Sequence, residues 1–200
     1  MATTTPPRAA QVERSTKETE IRLRLALDGA GNADVGTGVG FLDHMLDLLA
    51  RHSRLDIELR ASGDLGTGAH HTTEDVGIVL GKALDEALGD RAGIARYGDA
   101  SVPMDESLAI CAIDISGRPY CAFSAALPAT SIAGFDTELA EEFFRAFANN
   151  AKLTLHLRVV EGSNAHHMIE ACFKAFARAL RQAVSRDPSE PGVPSTKGVL

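Results

Sequence analysis

Apolar and polar residues alternate in three clear stretches: Ile21-Arg22-Leu23-Arg24-Leu25-Ala26-Leu27, Leu55-Asp56-Ile57-Glu58-Leu59-Arg60 and Leu153-Thr154-Leu155-His156-Leu157-Arg158. A period of two residues marks a strand with one face in a core and one in water. Asp28-Gly29-Ala30-Gly31-Asn32 reads as a turn after the first, which predicts a hairpin. Gly36-Thr37-Gly38-Val39-Gly40 then leads into Phe41–Leu49, whose apolar spacing is helical. That glycine run lacks the Lys-Ser/Thr ending of a phosphate-binding loop and reads as a plain connection. A glycine-rich loop, Ala61–Ala69, precedes a helix that opens at His70 and ends near Leu88-Gly89-Asp90. The first half thus predicts β, β, α, β, α.

The second half repeats the order. Ser107–Ile115 and Ala122–Ala126 predict strands around the turn Ser116-Gly117-Arg118-Pro119, and Leu139–Asn149 predicts a helix. A strand over Leu153–Arg158 and a helix from His166 to about Val184 complete it. Sliding the halves together lays Leu55, Ile57, Leu59 and Arg60 over Leu153, Leu155, Leu157 and Arg158. Matching order and motif point to an internal duplication. The fold class expected is α/β (α+β): two half-domains, each a small sheet with two helices, the helices packed between the sheets. The divisions expected are a disordered tail over 1–10, half-domains over 11–97 and 98–186, and an irregular tail over 187–200 ending Pro194-Ser195-Thr196-Lys197-Gly198.

The duplicated helices carry the chemistry. One opens His70-His71-Thr72-Thr73-Glu74 and the other His166-His167-Met168-Ile169-Glu170. Positions three and four apart share a helical face, so both imidazoles of each pair can approach the glutamate that follows. Imidazoles beside a carboxylate make a plausible coordination sphere for a divalent transition metal. His44, on the helix before the first pair, adds a further imidazole. A single histidine at a helix start ordinarily caps or packs; five histidines and two glutamates in duplicated register argue for ligation. Zinc usually takes four ligands, whereas mixed imidazole and carboxylate sites with room for substrate also suit manganese or iron. Neither pair has the His-Glu-x-x-His order of a zinc protease.

Composition narrows the partners. A net charge of -7, with no block of Lys or Arg, disfavours nucleic acid. Local cations can still hold an anionic substrate. Cys111, Cys121 and Cys172 are odd in number and irregularly spaced, which predicts reduced, packed thiols in a cytoplasmic protein. No stretch is apolar enough to span a membrane, so no membrane partner is expected.

Gly40-Phe41-Leu42-Asp43-His44-Met45-Leu46, His70-His71-Thr72-Thr73-Glu74-Asp75, Pro103-Met104-Asp105-Glu106, Asp114-Ile115-Ser116-Gly117-Arg118-Pro119, His166-His167 through Phe173-Lys174-Ala175, and Pro194-Ser195-Thr196-Lys197-Gly198 together resemble the imidazoleglycerol-phosphate dehydratase family. The resemblance runs from about Arg14 to the C-terminus. It implies an enzyme of histidine biosynthesis that removes water from imidazole glycerol phosphate to give imidazole acetol phosphate. It also implies two manganese ions (Mn2+) per active site, sites lying where subunits meet, and a hollow homo-oligomer of twenty-four chains. The implied metal ligands are His44, His70, His71, Glu74, His166, His167 and Glu170. The second-half counterpart of His44 is Glu142, where a solvated glutamate and a replacement ligand are equally open readings.

In that chemistry two metals on the ring nitrogens stabilise an imidazolate, which acts as an electron sink. A carboxylate must then move protons. Glu18 matches a substrate-contact position of the family and is the first candidate, against the reading of a surface residue. Glu170 and Glu74 follow, although a metal-bound carboxylate is a weaker base. Arg96, Arg118, Lys174, Ser195, Thr196 and Lys197 match positions that the resemblance assigns to phosphate or substrate, and His52 falls in a segment the family uses near substrate. Guanidinium groups grip phosphate bidentately while Lys supplies a point charge. Asp105 and Glu106 either support the site or serve the strand start. His156 is expected to face away from Leu155 and Leu157. A dinuclear hydrolase of a small phosphorylated substrate and a non-enzymatic metal-assembled shell are the competing readings.

Overall fold

The computed structural model describes residues 7–200. Its first sheet holds β1 (Ala9–Ser15), β2 (Thr19–Ala26), β3 (Ala33–Gly36) and β4 (Asp56–Gly63), in the order β1-β2-β4-β3. Its second holds β5 (Tyr97–Met104), β6 (Ser107–Asp114), β7 (Tyr120–Ser124) and β10 (Thr154–Glu161), in the order β5-β6-β10-β7. A two-stranded ribbon, β8 (Ser131–Ile132) with β9 (Phe135–Asp136), lies apart from both. The helices are α1 (Gly40–Ser53), α2 (His70–Leu88), α3 (Leu139–Ala151) and α4 (Ala165–Ala183).

The two sheets have one topology. In each, the last strand of the half lies between an antiparallel neighbour and a parallel one: β4 between β2 and β3, β10 between β6 and β7. Arg54 after α1 and Lys152 after α3 both take left-handed backbone, with φ of 66° and 53°, and close their helices in the same way. The α/β class and the duplicated half-domains are therefore as the sequence pattern indicates.

Several local expectations change. The turn Asp28–Asn32 does not close a hairpin onto β2. The chain instead crosses to β3, which runs parallel to β4, while the hairpin partner of β2 is β1. The strands flanking Ser116–Pro119 likewise do not pair, because β10 lies between them. Residues 1–6 of the expected N-terminal tail lie outside the described residues, and Ala9 and Ala10 already belong to β1. Tyr97 opens β5 and so belongs with the second sheet.

The four helices lie between the sheets. α2 packs on β1 and β2, α4 on β5 and β6, and across the middle α2 meets α3 and α1 meets α4. Ile21, Leu23 and Leu25 of β2 and Leu155 and Leu157 of β10 bury the inward face of the alternation. Phe143, Phe144, Phe147, Phe173 and Phe176 interlock where α3 meets α4, with ring centroids 4.7 to 5.3 Å apart for Phe144–Phe173, Phe143–Phe173, Phe147–Phe176 and Phe144–Phe176. Among the described residues no helix is long and apolar enough to cross a membrane.

Candidate metal and active site

The contact of α1 with α4 decides which imidazoles meet. Nε2 of His166 lies 3.1 Å from Oε2 of Glu170, one turn along α4. Nε2 of His44, projecting from α1, lies 3.5 Å from the same oxygen. His44, His166 and Glu170 present ligand atoms all within 4.8 Å of one another, and no other such group of three occurs among the described residues. Donors about 2.1 Å from one ion stand roughly 3–4 Å apart, so this set fits a divalent transition metal. His44 thus joins the second pair and not the first, because helix packing and not sequence proximity sets its neighbour.

Electrostatics keep Glu170 ionised. Burial alone would raise its carboxyl, but the hydrogen bond from Lys174 Nζ at 2.6 Å, followed by His166 and His44, holds it below its ordinary value. Its side chain is 8% exposed, against 47% for His44. Glu170 is therefore held charged in a near-buried position, able to ligate a cation and a poor proton acceptor.

The second imidazole of each pair turns away from its own glutamate. Nδ1 of His71 is 3.0 Å from Asp64, and Nδ1 of His167 is 2.7 Å from Glu106. Glu18 approaches the far nitrogen of His71, at 4.0 Å from Nε2, and Asp105 approaches that of His167, at 3.9 Å. Hydrogen bonding to Asp64 raises the His71 imidazole above its ordinary value, and Glu106 does the same to His167. Asn164 caps α4 by accepting from the backbone N–H of His166 and His167, which fixes where the pair projects. His70 and Glu74 are exposed. Glu142 reaches Arg145 at 3.3 Å and is not gathered with His70 or Glu74.

The candidate phosphate residues fall in two places. His52, Lys174 and Arg178 line one cavity of about 290 Å³ with Ser101, Val102 and Pro103. Burial and then the charges of Lys174, Arg178 and Arg51 push the His52 imidazole down, the mark of a cationic environment. Arg178, one turn beyond Lys174, is not among the residues the sequence singles out; its i+4 spacing from Lys174 on a helical face was the available signal. The other group gathers at the opposite end of α4. Arg96, in left-handed backbone with φ 71°, grips Asp114 through Nε at 2.7 Å and donates to Pro194 O at 2.7 Å. Its backbone N–H donates to Ala183 O. Arg118 is exposed beside Gly117, against which the C-terminal Leu200 lies. Ser195, Thr196 and Lys197 belong to the same tail, with Lys197 N–H bonded to Ser195 Oγ at 3.2 Å. From His166 to Ala183 the helix runs about 26 Å, so one chain does not bring this group to its own metal cluster.

No cysteine joins the candidate metal group among the described residues. Burial pushes the Cys172 thiol up to about 12 and that of Cys121 to about 11, and Cys111 is raised for the same reason. His156 is exposed, as its alternation indicates, and packs against Tyr120 with centroids 5.7 Å apart.

The family model for imidazoleglycerol-phosphate dehydratase matches residues 37–180, which span α1, both histidine pairs and most of α4. The chain belongs to the imidazoleglycerol-phosphate dehydratase family. It is 64% identical over 193 residues to the imidazoleglycerol-phosphate dehydratase of Symbiobacterium thermophilum, covering 96% of this chain and 93% of that one. It is 58% identical over 193 residues to that of Geobacter metallireducens, covering 96% and 99%. Among solved structures, the Staphylococcus aureus imidazoleglycerol-phosphate dehydratase superposes with a TM-score of 0.81 at 46% identity, over 89% of this chain and 99% of that one. The Pyrococcus furiosus protein, solved in complex with (S)-C348, gives 0.82 at 36% identity over 94% and 100%. Membership makes this chain a dehydratase, a carbon–oxygen lyase of histidine biosynthesis.

Proposed function

We propose that this chain removes water from imidazole glycerol phosphate to give imidazole acetol phosphate, with two manganese ions per site. The observation that carries the reading is the group His44, His166 and Glu170, assembled from both halves within a chain of this family. His44, His70, His71, Glu74, His166, His167 and Glu170 are the ligands proposed; Glu142, engaged with Arg145, is the weakest candidate. When bound, divalent manganese would supply a Lewis acid that stabilises negative charge on the substrate's imidazole ring.

The chain's own residues supply the rest. Glu18 is the proton-transfer carboxylate: its turn is held by its own N–H on Thr16 Oγ1 and by Asp64 N–H donating to Glu18 O. Its side chain is more than half exposed, beside an imidazole and free of the cations that hold Glu170 charged. Glu18 takes the proton from the second carbon out from the ring and passes it to the hydroxyl on the carbon attached to the ring, which leaves as water. The enol so formed gains a proton on the ring-attached carbon, loses its hydroxyl proton and becomes the ketone. Lys174, with His52 and Arg178 beside it, offers a cationic pocket for the phosphate near the metal group. Arg96, Arg118, Ser195, Thr196 and Lys197 would reach that substrate from a neighbouring copy, because the length of α4 separates them from the metal group of their own chain. The exposed His70 and Glu74 call for the same arrangement, which supports a homo-oligomer, read as twenty-four chains, with sites between subunits.

The test is turnover of imidazole glycerol phosphate by metal-stripped protein, with and without manganese, following the acetol product. Turnover restored by manganese is the expected result. No product with any divalent metal overturns the reading, and release of inorganic phosphate instead would favour a hydrolase.

A further inference from the structure

The turn between β1 and β2 and the turn between β5 and β6 are counterparts, yet their carboxylates hold different positions. Glu18 immediately precedes β2 and Glu106 immediately precedes β6. Glu18 lies opposite the end of β4, its carbonyl accepting from Asp64 N–H at 3.0 Å. Glu106 lies opposite the end of β10, accepting from the N–H groups of Ser163 and Asn164 at 3.3 and 2.9 Å. The residue after β4 is Asp64, whereas the residue after β10 is Gly162. A Cβ at Gly162 would meet Met168 Cγ at 2.5 Å and Ser107 Oγ at 2.7 Å, and its φ is +158°, so no acid side chain fits there. In the first half the acid beyond the central strand takes Nδ1 of His71. In the second half that acid is missing, and Glu106 takes Nδ1 of His167 in its place.

We propose that Asp64 and Glu106 are positioning residues: each accepts the Nδ1–H of the second imidazole of its pair and leaves Nε2 unprotonated as the ligand atom. An imidazole has one donor and one acceptor when neutral, and the partner of one nitrogen decides which tautomer the other presents. Such partners of ligand imidazoles typically change metal affinity by ~10–100-fold. The arrangement also explains an asymmetry between the halves. Because Asp64 holds His71, Glu18 is left free for proton transfer, while its counterpart Glu106 is committed to orientation.

This inference rests on the metal reading above, and the experiment separates the two. Histidine-labelled, metal-free protein at pH 8.5 is examined by solid-state nitrogen NMR, which reads tautomers whatever the particle size. Asp64→Ala and Glu106→Ala are each expected to remove one Nδ1-protonated signal. Manganese affinity, measured by titration calorimetry, should fall ~10–100-fold in each, and Asp64→Asn, which keeps an acceptor, should recover most of the loss. Glu106 also ties down the Ser163–Asn164 backbone, so Asp64 is the decisive position should Glu106→Ala fail to fold. Unchanged tautomer signals in Asp64→Ala, or affinity within twofold of wild type, overturn the proposal. Wild-type protein that takes up no manganese overturns the metal reading, and the tautomer spectra then still decide whether Asp64 and Glu106 set the protonated nitrogen.

Discussion

Nε2 of His44 and Oε2 of Glu170 stand 3.5 Å apart, although the two residues belong to different halves of the duplication. The contact exists because α1 and α4 pack together, and it makes the metal group a product of tertiary structure. His44→Ala removes, from a half-exposed position, one of the three candidate donors that a single chain gathers. Manganese affinity should fall by more than the ~10–100-fold typical of residues behind the ligands, with little change in thermal stability. Calorimetric titration checks it, and an unaltered affinity would remove His44 from the ligand set. His44 suits this test better than Glu170, whose loss would also strand the mostly buried Lys174 ammonium bonded to it at 2.6 Å.

The histidine pairs were legible because helical spacing puts His166 and Glu170 on one face, and the structure shows that contact. The partner of His44 was not legible, since nothing in the local sequence of α1 says which helix it will cross. The same holds for Asp64 and Glu106, which reach the imidazoles from strand ends. β5 left little pattern because only Gly98 and Val102 along it are buried, and both are small. β3 reads as part of a hairpin because turn residues signal reversal, while parallel pairing to β4 depends on the intervening α1. The duplication itself was legible, since it repeats whole elements.

Chelation should break the proposed homo-oligomer. His70 and Glu74 stand exposed on each chain, and the tail with Lys197 lies a helix length from the metal group of its own chain. Ligands shared between copies would couple metal loading to association. Sedimentation velocity after metal stripping should show smaller particles that regrow when manganese returns. An unchanged profile would separate assembly from the metal.

Lys197→Ala should raise KM by about 10–100-fold, the equivalent of one charge-assisted phosphate contact, and change kcat much less. Arg96→Ala should raise KM as well, by a different route: Arg96 holds the Pro194 carbonyl, so its loss frees the tail that carries Lys197. Steady-state kinetics on both variants, and on the pair combined, distinguish these routes. Strictly additive effects on ln KM would argue against a shared tail.

Asp56 gives a pH prediction. Its carboxylate accepts from Asn32 N–H at 2.8 Å and Ala30 N–H at 2.9 Å, and those bonds hold its carboxyl below the ordinary value. A depressed folded-state value means that the stabilisation is fully present above the ordinary carboxyl range and is lost as pH falls through it. Asp56→Asn should therefore be less stable than wild type by about 1 kcal/mol or less at pH 7, given its partial exposure. The gap should close on acidification below about pH 4. Urea midpoints for both proteins between pH 3 and 7 test it, and a gap independent of pH would assign the effect to packing.

Gly81 marks the closest approach of α2 to α3. A Cβ there would stand 2.5 Å from Phe147 O and 2.9 Å from Ala151 N, both backbone atoms that cannot swing aside. Alanine would otherwise favour the helix by about 1 kcal/mol. Separating two packed helices costs more, about 1–3 kcal/mol, so the clash should win. Gly81→Ala should lower Tm by a few degrees, at ~2–4 °C per kcal/mol for a chain of this size. Metal affinity at His44, His166 and Glu170 should persist, because that group lies on the other helix crossing, α1 with α4. A rise in Tm would mean that α2 and α3 shift apart without cost. Loss of metal with unchanged Tm would mean that the two crossings are mechanically coupled.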